Sequence, residues 1–157
     1  LKRLTNCIKS SNFINIQEIP ADMQEVISLY QKFSRYDKNT PEEIYHHILP
    51  SFKLKQYKIH TEEGEVIAFT NWAFLDEKAE KYYIKTGMLN SSDWKSGNKL
   101  WHFDTVCVKN LKKVMDWTKD YFTKKFGIGY PINWLRISED NNIYRKSTRL
   151  TKNSWIK

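Results

Sequence analysis

The residues best suited to chemistry are Trp101-His102-Phe103-Asp104, in a segment whose apolar and polar residues alternate. Alternate side chains of a strand share a face, which would set His102 and Asp104 together and Trp101 and Phe103 on the other side. An imidazole beside a carboxylate can act as a base with its orienter. Same-face neighbours are roughly 6.5 to 7 Å apart along the backbone, so contact requires the side chains to lean together or a bridging water. The plainer alternative is a histidine at the edge of the core and a salt-bridged aspartate.

A second group is the loop Asp93-Trp94-Lys95-Ser96-Gly97-Asn98-Lys99, where Trp94, Ser96 and Asn98 are candidates for ligand contacts. Its competing reading is a turn in which Asp93 and Ser96 bond backbone and Gly97 supplies a positive φ. Trp72, Trp117 and Trp134 are expected in the core.

Other chemistries lack their signatures. There is no GxGxxG, GxxxxGK[ST] or GxSxG, so no nucleotide or other cofactor is expected. No HExxH-type spacing occurs, and adjacent His46 and His47 on a helix point about 100° apart, so no metal site is expected. Cys7 and Cys107 are the two cysteines and form no CxxC, which fits a reducing cytoplasm. No apolar run approaches the length needed to span a bilayer, and the N-terminus lacks the apolar stretch of a secretion signal, so neither membrane insertion nor export is expected.

The elements that must hold these groups can be read in order. Met23, Val26, Ile27, Tyr30 and Phe33 recur at helical spacing after Pro20, predicting a helix from about Ala21. Thr40-Pro41-Glu42-Glu43 is a capping box with proline in the first position, and that helix is expected to end near Leu49-Pro50. LKQYKIH and VIAFTNWAFL flank a Glu62-Glu63-Gly64 turn and predict a hairpin. Asp76 and Gly87 bracket a helix, Leu100 to Val108 reads as a strand, and Asn110 and Gly127 bracket the long helix LKKVMDWTKDYFTKKF. INWLRIS after Pro131 and IYRKSTRL complete the series as strands, the latter at a sheet edge. The order ααββαβαββ implies an α/β (α+β) domain over residues 1–157 with a mixed, mostly antiparallel sheet.

The chain has 157 residues, 15% of them aromatic and only five glycines, enough for one packed core and unlike a disordered chain. Residues 1–108 carry 14 basic and 14 acidic side chains, whereas residues 109–157 carry 12 and 4. That excess suits an acidic partner, a phosphorylated ligand or nucleic acid. A basic nucleic-acid-binding module is the third functional class considered. No nucleic-acid motif accompanies the charge, and most aromatics fall at positions expected to be buried, so nucleic acid is not the expected partner.

Several landmarks occur together between Leu49 and Arg136: Leu49-Pro50, Gln56-Tyr57, Val66 to Ala73 as V-x-A-aromatic-x-x-W-A, Asp93-Trp94-x-Ser96-Gly97, and Trp101-x-x-Asp104. In this order they resemble the toxin-activating lysine acyltransferases, which move a fatty acyl group from acyl carrier protein to internal lysines of RTX protoxins. The resemblance implies a GNAT-like fold and places the family's catalytic aspartate at Asp104; Arg136, on the run INWLRIS, matches an arginine of the family and is the candidate anion contact, with pairing to a nearby acid as the alternative. The family's histidine position falls on Tyr36, a phenol with a pKa of about 10 that is a poor base near neutrality. Three replacements are open: a locally activated Tyr36, His46 or His47 after a register shift, or His102, which is favoured.

The chain also carries extra residues before its first helix and stops soon after IYRKSTRL, where the family continues into a helical segment. An uncovered sheet edge suggests a partner protein. These departures resemble a branch of the family encoded with siderophore microcins, which works with a larger partner to join a glycosylated catechol siderophore to the C-terminal serine of a microcin precursor. The leading expectation is therefore a heteromeric microcin-maturation enzyme acting on a peptide toxin precursor and a siderophore conjugate. The alternative is lysine acylation of an RTX protoxin from acyl carrier protein.

Overall fold

A computed structural model describes residues 18–138, 140 and 142–157. The readings that concern Cys7 and the residues before the first helix lie outside this range. The elements run α1 (Ala21–Tyr30), α2 (Pro41–Lys53), β1 (Tyr57–Glu62), β2 (Glu65–Leu75), α3 (Glu77–Thr86), β3 (Lys99–Cys107), α4 (Leu111–Phe126), β4 (Pro131–Ile137) and β5 (Ile143–Leu150). This is the order expected from the sequence. The five strands lie in chain order and are antiparallel except for β3 and β4, which run parallel.

Local chemistry sets the boundaries. Thr40 Oγ1 accepts the Glu43 N–H at 3.2 Å, while the Glu43 carboxylate takes the Asn39 amide instead of closing the capping box. Helix α2 runs past Pro50 to Lys53, three residues beyond the expected end. In the last turn proline forfeits one backbone hydrogen bond, and the carbonyls of Pro50 and Ser51 still accept from Leu54 and Gln56. Glu63 and Gly64 both have positive φ, 51° and 82°, as a two-residue turn between paired Glu62 and Glu65 demands. Asp76 caps α3 through the Ala79 N–H at 2.7 Å, and Gly87 closes it in the left-handed region. Asn110 precedes α4 without capping it; its amide instead donates to Glu62.

The helices cover both faces of the sheet. On one face α1 and α2 bury Val26, Tyr30, Ile44 and Ile48 with Phe69 and Val106, and beside them α3 packs Tyr83 on Ala73, Trp101 and Phe103. On the other, α4 sets Phe122 against Trp72, Leu100 and Ile132. None of the described helices is long and apolar enough to cross a membrane.

The parallel pair is barely joined. Trp101 and Asn133 are its single register match, reinforced by the Asn133 amide on the Leu100 carbonyl at 3.0 Å. Beyond that point the strands part, and the wedge between them is where a ligand could enter.

Candidate active site

The backbone of β3 decides which side chains meet. Asp104 pairs with Asn71, but the next partners are His102 and Trp72, so β3 takes two steps where β2 takes one. This bulge breaks the alternation. Asp104 joins Trp101 and Phe103 on the α1–α3 face, and His102 points with Trp72 toward α4. The expected pairing of His102 with Asp104 on one face is therefore corrected. The His102 ring stands near Phe122 and its Nε2 lies 3.3 Å from Thr105 Oγ1. Burial pushes its pKa down to about 4, only partly offset by the Asp104 charge, leaving it neutral at pH 7.

The imidazole beside Asp104 is His47. Its Nε2 stands 2.7 Å from Asp104 Oδ2, with both side chains buried. Tyr30 donates its hydroxyl to the same oxygen at 2.8 Å, and Tyr36 reaches Oδ1 at the long distance of 3.5 Å. Oδ2 accepts from Tyr30, and Nε2 is assigned as its second donor, the tautomer that suits a carboxylate oxygen. Asn71 holds the backbone: its Oδ1 accepts the Asp104 N–H at 2.9 Å. The Asn71 amide donates to Ser51 Oγ at 3.2 Å, and that hydroxyl donates to Ile48 O at 2.8 Å. One chain of hydrogen bonds thus ties the bulge to α2.

Helix periodicity aims His47 inward. Ile44, His47, Ile48 and Ser51 form the buried stripe of α2. His46, one position away, lies beside Tyr45 off this stripe. A histidine among the isoleucines of an amphipathic helix is a sequence signal for a buried polar partner. Tyr30 and Asn71 gave no such signal, because each fits an ordinary apolar or strand pattern.

A cavity of about 670 Å³ opens in the wedge between β3 and β4. Tyr36, Phe103 and Asp104 line it from the α1 side, and Met115, Thr118 and Lys119 from α4. His102, Trp134, Arg35 and Arg149 also contribute to its walls. His47 lies behind Asp104, outside the lining. Trp134, expected in the core, is a wall of this cavity.

The remaining candidates sit elsewhere. Trp94 is buried against Phe103, with ring centroids 4.6 Å apart, and its carbonyl accepts from Gln56 and Phe74. Ser96 Oγ accepts the Asp76 N–H at 3.0 Å and donates to Asp93 O at 2.8 Å. Asn98 offers its carbonyl to the Tyr130 hydroxyl. The loop is thus a structural latch on β2 and α3, outside the cavity lining; Asp93 and Ser96 bond backbone as in the turn reading, but the positive φ expected at Gly97 is corrected, since its φ is not in the left-handed region. Arg136 donates through Nε to Ser147 Oγ at 3.1 Å instead of pairing with an acid. Among the described residues, no group of three or more potential metal ligands occurs.

The RTX toxin acyltransferase family matches residues 16–154. Leukotoxin-activating lysine-acyltransferase LktC of a Pasteurella haemolytica-like species is 27% identical over 85 residues, 48% of this chain and 52% of that protein. The RTX-II toxin-activating lysine-acyltransferase ApxIIC of Actinobacillus pleuropneumoniae is 32% identical over 60 residues, 38% of each chain. Lysine-acyltransferase RtxC of Vibrio cholerae is 38% identical over 56 residues, 34% of this chain and 37% of that protein. The matched stretch spans about half the length of the first relative and little more than a third of the other two.

Proposed function

The chain belongs to the RTX toxin acyltransferase family, and from that premise we propose that it transfers an acyl group to a lysine side chain of a toxin-like protein. The observation that carries this reading is the His47–Asp104 pair set against the wall of the wedge cavity. The named relatives are lysine acyltransferases, which favours this alternative over siderophore–microcin maturation. The maturation reading drew on the absence of a usable imidazole, and His47 supplies one. Nothing in the site speaks for a larger partner or a siderophore conjugate.

The acyl chain occupies the cavity, whose volume falls within the range of about 300 to 1,000 Å³ usual for small-molecule sites. Phe103, Met115 and Trp134 give it apolar walls. The lysine nitrogen attacks the carbonyl carbon of a thioester carried by acyl carrier protein; the C–N bond forms, the C–S bond breaks, and sulfur leaves as thiolate. Asp104 takes the amine proton on Oδ1, the oxygen reached by the cavity-lining Tyr36 and not held by His47 or Tyr30. His47 and Tyr30 hold Oδ2 and keep the carboxylate oriented, so His47 is a positioning residue. The Tyr36 hydroxyl, held only at 3.5 Å from Oδ1 in the resting site, turns from that oxygen as it takes the proton and donates instead to the oxyanion that develops on the carbonyl.

Co-expression with an RTX-type protoxin and acyl carrier protein, followed by tandem mass spectrometry, tests the reading. A fatty-acyl increment on an internal lysine, lost in Asp104→Asn, is expected. A siderophore-sized increment on the C-terminal residue of a microcin precursor would instead establish the maturation reading.

A further inference from the structure

Four of the chain's five arginines, Arg35, Arg136, Arg145 and Arg149, collect around β4, β5 and the cavity, while the more numerous lysines are spread along the whole sequence. Arg136 stands directly opposite Arg145, and Arg149 stands opposite Ile132. Strand alternation therefore sets Arg136, Arg145 and Arg149 on one face of the hairpin, the face shared with Ser147. Like charges directly opposite each other destabilise a sheet. Among the described residues no carboxylate relieves them. Glu80 serves Lys99 and Lys146, and Asp116 and Asp120 serve lysines on or beside α4.

This row is open and continuous with the cavity. Arg145 and Arg149 are exposed on β5, the edge strand of the sheet, and Arg149 is also part of the cavity wall. Arg145 and Arg149 are four residues apart, about 13 Å along a strand, more than one phosphate spans. Guanidinium forks spaced in this way match a set of carboxylates.

We propose that the arginine row of the β4–β5 hairpin docks an acidic protein surface, that of the partner presenting the acyl group to the cavity. The proposal rests on the acyl-transfer reading for the identity of that partner. Single-stranded nucleic acid would call for exposed aromatic platforms beside the charge, but Trp134 on this face is half-buried in the cavity wall; duplex DNA, which needs only the charge, is an arm of the test. A membrane surface would call for apolar flanks, and exposed Leu150 belongs to the opposite face by alternation.

The test titrates the full chain into fluorescently labelled holo-acyl carrier protein, without an acyl chain, and reads anisotropy at low and high salt. Arg145→Gln with Arg149→Gln is expected to weaken binding about tenfold and to flatten its salt dependence. Lys112→Gln with Lys113→Gln, an equal loss of charge on α4, is expected to stay within about twofold of the parent. Thermal midpoints within a few degrees of the parent establish that both variants fold. Equal affinity in the arginine variant, no binding by the parent, or tighter binding to duplex DNA or phosphatidylglycerol vesicles would each overturn the proposal. Binding is read without turnover, so a chain that docks but leaves lysine unmodified removes the acyl-transfer reading alone.

Discussion

His47 Nε2 and Asp104 Oδ2 stand 2.7 Å apart although 57 residues separate them in the chain. The contact needs two independent devices: the helical period that turns His47 inward on α2, and the β3 bulge that turns Asp104 toward it. Neither residue is useful alone. A buried carboxylate is costly unless its lone pairs are met, and here Tyr30, Tyr36 and His47 meet them.

Removing His47 therefore affects stability and activity together. Leaving a buried carboxylate oxygen without one of its hydrogen-bond partners costs about 1 to 3 kcal/mol, so His47→Ala is expected to lower the urea midpoint. Misplacing the carboxylate is expected to reduce acylation by about 100-fold. A positioning role also predicts a displaced pH–rate profile in the less disruptive His47→Gln. Full activity with an unchanged profile in that variant would remove His47 from the mechanism.

His102 separates the competing assignments. It points to the opposite face of the sheet from Asp104, across the bulge, so His102→Gln is expected to retain turnover within about tenfold of the parent, below the usual contribution of a general base. Single-turnover acylation decides this. A loss as large as that in Asp104→Asn would return the base role to His102.

The element order and the mixed sheet were legible because apolar periods, caps and turn residues agree from Ala21 onward. The bulge was not, since LWHFDTV alternates as cleanly as a regular strand and the extra step appears only in the pairing with β2. Asp104 stands out through the family resemblance, and alternation sets His102 beside it, whereas the bulge turns His102 away and the imidazole next to Asp104 is His47. His47 was legible in part: its position between Ile44 and Ile48 marks the buried face of α2, but nothing local names the strand residue it meets. The Trp94 loop read equally well as a ligand contact or a turn, and packing on Phe103 decided it.

Two histidines under α4, His60 buried and His102 half-buried in the cavity wall, predict an acid-sensitive fold. An unperturbed histidine titrates at 6.5, whereas burial, reinforced by nearby Lys58, His102 and Lys113, holds His60 at about 4, and burial holds His102 at about 4. Between these values the unfolded chain binds protons that the folded chain refuses. Stability from these groups is thus fully present above about pH 6.5 and is lost progressively as the pH falls toward 4. The urea midpoint is expected to drop between pH 7.5 and pH 5, and less steeply in His60→Leu with His102→Leu. An undiminished drop in the double variant would assign the sensitivity to other groups.

Gly97 and Gly64 are required for different reasons, and alanine substitutions should distinguish them. A Cβ on Gly97 would lie 2.6 Å from the Asp76 backbone N and Cα and from Leu75 O, where the loop presses on the junction of β2 and α3. Its φ is not in the left-handed region, so close approach is the whole reason for glycine there. A Cβ on Gly64 meets nothing within 4 Å, and the strain comes from a φ of +82°. Gly97→Ala must therefore displace backbone, at a cost of about 2 to 3 kcal/mol. Gly64→Ala meets the smaller penalty of a left-handed turn position, about 1 kcal/mol. Because the Gly97 loop also seats Trp94 against Phe103, next to Asp104, its displacement is expected to lower acylation as well as the denaturation midpoint. Gly64, at the far tip of the hairpin, is expected to lower only the midpoint. Equal midpoints for the two variants, or an activity loss confined to Gly64→Ala, would count against the latch.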